Sequence, residues 1–256
     1  MVVIGSGNVA WHMINACTAK GVKVLQVLAR NKKTAAQISR TFSVPYITDP
    51  AKLYLEADLY LLAVQDHAIR ETAEGLHLTD QFLVHTSGFA HLDVLSGTTT
   101  NTGVIWPLQT LTAGKKTNYR QIPFFIEASS AENEENLRQL ASLVTAKVMV
   151  ADSPLRQKIH LAAVIASNLT NQLYSISASI LERQNISFDV LAPLILETAA
   201  KAALSHPLKS QTGPAARRDR HVIEKHLELL RDEPEYRDIY RMISENIIHF
   251  HHKKNE

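Results

Sequence analysis

Short apolar runs and longer amphipathic stretches alternate along the first part of the chain. Each apolar run has the length and composition of a strand, and each amphipathic stretch repeats its apolar positions with helical spacing. The run over 58–64 is apolar almost without interruption, as is typical of a strand covered on both faces. This alternation predicts an α/β fold of the Rossmann type, with a doubly wound, mostly parallel sheet and right-handed crossovers. The predicted strands are 2–4, 22–28, 45–47, 58–64, 81–86, 104–106, 123–127 and 147–150, and the predicted helices between them include 8–19, 33–42 and 131–144.

The alternation stops after Asp152, and the remaining hydrophobic pattern is helical. Ser153 and Pro154 resemble an N-cap and a first helical position, and they open a long helix that reaches about Arg183. Around 161–166 this helix is apolar on every side, which predicts that it is buried. The chain is therefore predicted to divide into a Rossmann domain, residues 1–151, and a smaller all-α domain, residues 152–256, with the substrate bound between them. Further helices are predicted over 188–205, 222–231 and 235–251, with a breaker-rich linker over 206–214.

A glycine-rich turn, G-S-G-N-V-A at residues 5–10, follows the first predicted strand and fits the G-x-G-x-x-A form of the dinucleotide fingerprint. Gly5 permits the tight turn from strand to helix, Gly7 lets the backbone approach a pyrophosphate, and Ala10 keeps the helix close to the sheet. The N–H groups and the positive end of that helix then face the phosphates. The turn predicts a nucleotide site formed by Gly5, Ser6, Gly7, Asn8 and Val9.

The end of the second predicted strand indicates which dinucleotide binds. NAD-binding units place Asp or Glu there to hold the ribose 2′-hydroxyl, whereas this chain has Ala29-Arg30-Asn31-Lys32-Lys33 and no acid. The planar, permanently charged Arg30 suits a 2′-phosphate, although a solvated basic turn without a ligand is the alternative. The missing acid also disfavours S-adenosylmethionine. We therefore predict NADP as the cofactor, held at this end by Ala29, Arg30 and Asn31.

Composition and charge exclude several other classes of function. The formal net charge is +2 and the chain has no concentrated basic face, which disfavours a nucleic-acid partner. The single cysteine, Cys17, excludes a disulfide framework, and the 12 histidines are scattered without metal-site spacing. No stretch approaches the roughly 18 apolar residues of a membrane span, and no signal peptide precedes the first strand. We expect a cytoplasmic protein that acts on a small molecule and binds no metal, membrane or nucleic acid.

The predicted long helix carries polar side chains on an otherwise apolar surface. His160, Ser167 and Asn171 are spaced to share one narrow stripe, and Asn168 lies on its flank. Buried polar groups need hydrogen-bond partners. The stripe therefore has two interpretations: it lines a cleft and orients a substrate, or it supplies hydrogen bonds between packed helices.

Motifs along the whole chain resemble known dehydrogenase families. The G-S-G-N-V-A opening, Ala63-Val64-Gln65-Asp66 and Ser87-Gly88 resemble the 6-phosphogluconate and β-hydroxyacid dehydrogenases, the pyrroline-5-carboxylate reductases and the deazaflavin-dependent NADP reductases. The motifs at 107–110, 123–128, 160–168 and 211–217 are more similar to bacterial two-domain NADP oxidoreductases, in which a Rossmann domain precedes a helical domain of unknown function. This resemblance implies their fold, NADP as the cofactor and a homodimer. One departure is Trp106, where many members of that group have His.

The resemblance also implies contacts with the cofactor and substrate. Ala63, Val64 and Gln65 would pass close to the nicotinamide ribose, and Ser87 resembles the serine that orients substrate in β-hydroxyacid dehydrogenases. The segment 211–217 has two interpretations: it binds an anionic group of the substrate through Arg217, or it is only a turn between helices.

The predicted chemistry is hydride transfer to or from a C=O or C=N bond, which needs a proton donor beside the reacting atom. The catalytic lysine of the β-hydroxyacid dehydrogenases is missing, because Val164 stands four residues before Asn168. His160 remains as the acid or base, since an imidazole titrates near neutral pH. We predict that His160 donates the proton and that Ser87, Asn168 and Gln109 orient the substrate.

Three functions remain open on the sequence. The first, which we predict, is an NADP-dependent reductase or dehydrogenase that acts on a small metabolite. The second is an NADPH-binding sensor or scaffold without catalysis, which the missing lysine and Trp106 favour. The third is a non-redox enzyme such as a methyltransferase, and Arg30 disfavours it.

Overall fold

The computed structural model describes residues 1–252 and divides the chain into two compact units, Met1–Asn168 and Leu169–Glu256. All strands of the described residues lie in the first unit. The predicted boundary at residue 151 falls where strands give way to helices, whereas the two units divide later, inside the long helix. The first half of that helix therefore belongs with the strands.

One mostly parallel sheet organises the first unit. Its strands are β1 (Val2–Ile4), β2 (Gln26–Leu28), β3 (Tyr46–Ile47), β4 (Tyr60–Leu62), β5 (Leu83–His85), β6 (Thr102–Pro107), β7 (Pro123–Ala128) and β8 (Lys147–Val150). The order across the sheet is β3-β2-β1-β4-β5-β6-β7-β8, and every neighbouring pair is parallel except β6 with β7. The order reverses between β1 and β4, which opens a crevice at the carboxyl ends of these strands. The sheet confirms the predicted Rossmann-like α/β fold.

Helices pack on this sheet because its side chains alternate between two buried layers. Val3 and Leu61 belong to the cluster that includes residues of the first, second and fourth helices, whereas Ile4 and Tyr60 belong to the cluster that includes the third. The fifth helix packs through Ile159 against the last strands. These helices are α1 (Asn8–Thr18), α2 (Lys32–Phe42), α3 (Ile69–Glu74), α4 (Ala131–Val144) and α5 (Ser153–Val164).

Several strands are shorter than the sequence predicts, and the reason is their pairing. The predicted strands 22–28 and 58–64 contain β2 and β4, but both begin opposite Val2, the first residue of β1. A strand cannot extend its ladder past the end of its partner, so β1 sets the length of both neighbours. Helix α3 was absent from the prediction.

The start of α5 also corrects the sequence analysis. Asp152, rather than Ser153, is the N-cap, and its carboxylate accepts a hydrogen bond from the Leu155 N–H at 2.9 Å. Ser153 is fully buried, and its hydroxyl donates to the carboxylate of Glu127 instead. Both residues can cap a helix, but a buried carboxylate next to Ser153 decides between them.

The second unit is helical in its described part. A π-helical turn, Ile165–Leu169, connects α5 to α6 (Thr170–Glu182), and α7 (Ala192–Leu204), α8 (Pro207–Ser210), α9 (Arg220–Leu229) and α10 (Pro234–His252) follow. No helix within residues 1–252 combines the length and the apolar character that crossing a lipid bilayer requires.

The prediction that the long helix is buried around 161–166 is wrong for the single chain. Leu161 is 61% exposed and Ile165 is 53% exposed. The fully buried residues of α5 are Ser153 and Arg156, and Ile159 and His160 also pack against residues of the sheet. Its apolar surface beyond His160 is therefore available for contact with something outside the chain.

Candidate functional site

A cleft of about 650 Å³ lies at the carboxyl ends of the central strands, where the strand order reverses. Arg30 follows β2 and Ser87 follows β5, so the cleft extends across three strand spacings, roughly 14 Å. All residues predicted from the sequence to hold the cofactor line it: Gly5, Ser6, Gly7, Asn8, Val9, Ala29, Arg30, Asn31, Ala63, Val64, Gln65 and Ser87. The sequence analysis did not identify Thr48, Pro50, Glu71, Thr72, Thr86 and Gly88, which line it as well.

The glycine-rich turn has the geometry that a bound phosphate needs. Gly5 has φ +119°, and a Cβ there would lie 2.1 Å from the carbonyl oxygen of Ala63, so only glycine fits. A Cβ on Gly7, by contrast, would meet no protein atom within 4 Å. Gly7 is the N-cap of α1, and no side chain caps this helix. The first N–H groups of α1 are therefore available to an anion in the cleft.

The end of the cleft after β2 is basic. Arg30 is exposed and makes no hydrogen bond or ion pair within the described part of the chain. The neighbouring Asn31 caps α2, because its side-chain oxygen accepts from the N–H of Lys33 at 3.0 Å and of Thr34 at 3.2 Å. The guanidinium of Arg30 is thus free to bind a ligand, while the oxygen of Asn31 is already used.

The other end of the cleft is formed by the turn after β5. The hydroxyl oxygen of Ser87 accepts hydrogen bonds from the N–H groups of Phe89 at 3.0 Å and Ala90 at 2.8 Å, which leaves its proton to donate. A Cβ on Gly88 would lie 2.5 Å from the Trp106 ring and 2.7 Å from the His160 ring. The two rings therefore pack directly against this turn, and His160 closes this end of the cleft.

A second pocket, of about 340 Å³, meets the first cleft at His160. Gln109 and Asn168, which were predicted to orient the substrate, both line it. The oxygen of Gln109 accepts from the Thr110 N–H at 2.9 Å, which leaves its NH₂ group to donate. The complete lining is Trp106, Leu108, Gln109, Thr110, His160, Ala163, Val164, Ala166, Ser167 and Asn168. His160 is the titratable member of this set.

The π-helical turn changes the predicted polar stripe. A π turn places one more residue in the turn than a regular α-helix, so the spacing of His160, Ser167 and Asn171 no longer defines one face. The Ser167 hydroxyl lies 2.7 Å from the carbonyl oxygen of Ala163 and 3.0 Å from the side-chain oxygen of Asn168, two acceptors for its single proton. Ser167 and Asn168 line the second pocket, whereas Asn171 lies in the helical unit.

A buried cation that the sequence analysis missed lies behind the Ser87 turn. The guanidinium of Arg156, on α5, is fully buried and is paired with the carboxylate of Glu127 on β7. It also donates to the carbonyl of Ser87, at 3.3 Å, and to the carbonyl of Ala90. The side chain of Gln157 donates to the carbonyl of Phe89 at 2.9 Å. No local motif in the sequence indicates these contacts.

A second set of hydrogen bonds connects α1 to the segment after β6. The oxygen of Asn8 accepts from the Ala113 N–H at 3.0 Å. The buried His12 bonds the Thr112 carbonyl at 2.8 Å through Nε2 and the Tyr119 hydroxyl at 2.7 Å through Nδ1. The carbonyl must accept, so Nε2 carries the proton. The segment that carries Gln109 is therefore fastened to the helix that begins at the glycine-rich turn.

His85, at the end of β5, is neutral because it is buried. Desolvation lowers its pKa to about 3, and the positive charge of Arg156 adds to this effect, while the backbone of His91 opposes it. Its Nδ1 accepts from the Ser87 N–H at 3.1 Å, so the proton resides on Nε2. This imidazole therefore supports the Ser87 turn and does not exchange protons with a ligand near neutral pH.

Two family models match the chain. Residues 1–87 match the model described as NADP oxidoreductase coenzyme F420-dependent, and residues 122–247 match a domain of unknown function, DUF2520. A comparison with curated proteins finds no match.

Solved structures resemble the whole chain. A protein from Bacteroides fragilis described as a putative NADP oxidoreductase is 37% identical, with 96% of each chain covered and a TM-score of 0.90. A pyrroline-5-carboxylate reductase from Coxiella burnetii is 14% identical, with 98% of this chain and 97% of that chain covered and a TM-score of 0.55. An imine reductase from Streptomyces aurantiacus is 12% identical, with 96% and 92% covered and a TM-score of 0.66. At these lower identities the likeness concerns the fold alone.

The burial of His85 predicts a pH dependence of stability. Between pH 6.5 and about 3 the unfolded chain binds a proton at His85 and the native chain does not. The free energy of unfolding should therefore decrease as the pH is lowered through this window, by up to about 1.4 kcal/mol per pH unit from this group. The variant His85→Asn keeps an acceptor for the Ser87 N–H and removes the titration.

Urea unfolding at pH 7 and pH 5, followed by tryptophan fluorescence, measures this effect, because Trp11 and Trp106 both lie in the first unit. We expect the wild type to lose about 2 kcal/mol more than His85→Asn between these pH values. The control is His77→Asn, at an exposed histidine with φ 53°, a conformation that Asn also adopts. Equal losses in wild type and His85→Asn would contradict the assignment.

Proposed function

We propose that this chain, which belongs to the family of the Bacteroides fragilis protein described as a putative NADP oxidoreductase, transfers a hydride between NADP(H) and a small metabolite bound beside His160. NADP is the cofactor, which agrees with the basic turn after β2. The observation that carries the proposal is the pair of pockets that meet at His160, one dinucleotide-sized and one small.

The cleft fits a phosphorylated dinucleotide at both ends. The uncapped N-terminus of α1 and the open space at Gly7 suit the pyrophosphate. Arg30 suits the 2′-phosphate, because it is exposed and carries a charge without an ion-pair partner in the described part of the chain. Val64 and Ser87 then flank the nicotinamide end.

The reacting groups would meet at the junction of the two pockets. A reduced nicotinamide supplies the hydride when it is bound. His160 would donate a proton to the substrate oxygen or nitrogen, because it is the titratable side chain of the second pocket. The hydroxyl of Ser87 and the NH₂ groups of Gln109 and Asn168 would orient the substrate by donating hydrogen bonds.

The functional unit would be a homodimer. Helix α7 has the apolar sequence of a buried helix, yet Leu194 is 62% exposed, Leu196 is 70% exposed and Leu204 is 89% exposed. Several exposed large apolar side chains on one helix favour an interface, and a second copy of the chain is the occupant we propose. The single, buried Cys17 also favours a reducing compartment, so we propose a cytoplasmic location.

The role of Arg30 predicts a change in cofactor preference. Replacing Arg30 with Ala should weaken NADPH binding about 10- to 100-fold, the range of one or two charge-assisted hydrogen bonds. NADH binding should hardly change, because NADH lacks the 2′-phosphate. Isothermal titration calorimetry of both nucleotides measures this, with Arg40→Ala, an exposed arginine at the end of α2, as the control.

A second variant tests the pyrophosphate position in the same titrations. Gly7→Ala should retain the stability of the wild type, since its Cβ meets no protein atom, but should weaken both nucleotides. Equal binding of NADPH and NADH by the wild type would contradict the role of Arg30. If the wild type bound neither NADPH nor NADH, the proposed function would be contradicted.

The role of His160 predicts a loss of turnover without a loss of cofactor. NADPH consumption with a panel of cyclic imines and ketones provides the assay. His160→Gln should lower kcat about 10²- to 10⁴-fold, the usual contribution of a general acid, and should keep the NADPH affinity. Lys158→Gln, at an exposed position of the same helix, should behave as wild type.

Full turnover in His160→Gln would contradict its role as proton donor. Tight NADPH binding by the wild type without consumption by any compound of the panel would instead favour the alternative of a sensor or scaffold.

The proposed dimer can be tested on α7. Sedimentation velocity should give twice the mass of the chain for the wild type, and Leu196→Glu should give the monomer, because it places a charge on the apolar surface. Lys225→Gln, in the exposed pair with Glu228 on α9 at 2.9 Å, should remain dimeric. A monomeric wild type, or a dimeric Leu196→Glu, would contradict the interface.

A further inference from the structure

We propose that Arg156 is a positioning residue for the nicotinamide end of the cleft, through contacts that hold the turn 87–90 against α5. This inference rests on the proposed function, since it concerns the same cleft. Arg156 and His160 are four residues apart on α5. The same helix therefore carries the guanidinium that holds the turn 87–90 and the imidazole that packs against it.

Arg156 pairs with a carboxylate and also holds the backbone of the turn 87–90. One nitrogen is paired with the carboxylate of Glu127, which compensates the buried charge. The other donors reach the carbonyls of Ser87 and Ala90, one on each side of Gly88, and the Ser153 hydroxyl at 3.2 Å. A planar guanidinium can hold three acceptors in fixed directions, which a lysine ammonium on a flexible stem cannot do.

Other groups of α5 contact the same turn. Gln157 donates to the Phe89 carbonyl at 2.9 Å, and two residues beyond the turn the Ser153 hydroxyl accepts from the Leu92 N–H at 2.9 Å. Three carbonyls of the turn, those of Ser87, Phe89 and Ala90, are thereby directed toward α5. The opposite side of the turn, with the Ser87 hydroxyl and Gly88, is left to face the ligand.

The packing at Gly88 shows why small displacements matter here. Gly88 is so close to the rings of Trp106 and His160 that a Cβ would lie within 2.7 Å of both. If the turn moved toward the rings they would have to shift, and if it moved away a gap would open between Ser87 and His160. Arg156 therefore sets the distance between the nicotinamide surface and the proposed proton donor.

The variant Arg156→Lys tests this role, because it keeps the positive charge beside Glu127 and loses the second and third acceptors. The probes are NADP⁺ and 2′-phospho-ADP-ribose. The second has the pyrophosphate and the 2′-phosphate that would bind Arg30, but it has no nicotinamide. Affinity for NADP⁺ should fall about tenfold, the scale of one charge-assisted hydrogen bond. Affinity for 2′-phospho-ADP-ribose should stay within about twofold of wild type. General destabilisation would weaken both ligands equally.

Two further variants complete the experiment. Gln157→Ala removes the adjacent contact to the same turn without touching the buried ion pair, and should give a smaller change of the same kind. If Arg156→Lys does not fold, this variant alone decides the question. Arg138→Lys, in the exposed pair with Glu134 on α4, is the control and should change neither affinity.

The outcomes separate the inference from the proposed function. A selective loss of NADP⁺ affinity supports the positioning role. Equal losses for both probes, or no loss in Arg156→Lys and Gln157→Ala, would overturn it while leaving the proposed function intact. A wild type that binds neither probe would overturn the proposed function itself.

Discussion

The contact between Gly5 and the Ala63 carbonyl is the constraint on which the cofactor cleft depends. With hydrogen in place of a Cβ, β1 can turn into α1 directly beside the end of β4, at the point where the strand order reverses. Helix α1 then begins inside the crevice with its N–H groups uncapped. The turns after β2 and β5 reach the two ends of the same crevice because the parallel register aligns their carboxyl ends. The close approach at Gly5 and the parallel register together place three separate segments around one cleft.

Features that depend on local sequence could be predicted, and those that depend on distant pairs could not. The glycine-rich turn and Arg30 are recognisable because strand, turn and helix are consecutive in the chain. Arg156 contacts Ser87 across 69 residues, and an arginine on a predicted helix is ordinarily exposed. The π turn at Ile165–Leu169 has no recognisable sequence pattern either. The predicted polar stripe assumed regular α-helical spacing, which this segment does not have.

The misjudged burial of the long helix has a different cause. An apolar sequence determines that a surface avoids water, but it does not determine whether the covering atoms belong to the same chain. Leu161 and Ile165 have the composition of a core and the exposure of a surface. Composition alone therefore does not assign such residues to a core or a surface, because burial is a property of all the molecules that are present.

The placement of Arg30 bears on how this protein could diverge. Its side chain is exposed and makes no hydrogen bond or ion pair in the described part of the chain, so under the proposed function an exchange of this residue would alter nucleotide selectivity at little cost to folding. Asn8 is different, because its oxygen also holds the Ala113 N–H and thus the segment that carries Gln109. Under the proposed function, redox coupling to one nicotinamide pool or the other is therefore an evolutionarily adjustable property, whereas the glycine-rich turn and the second pocket are obliged to change together.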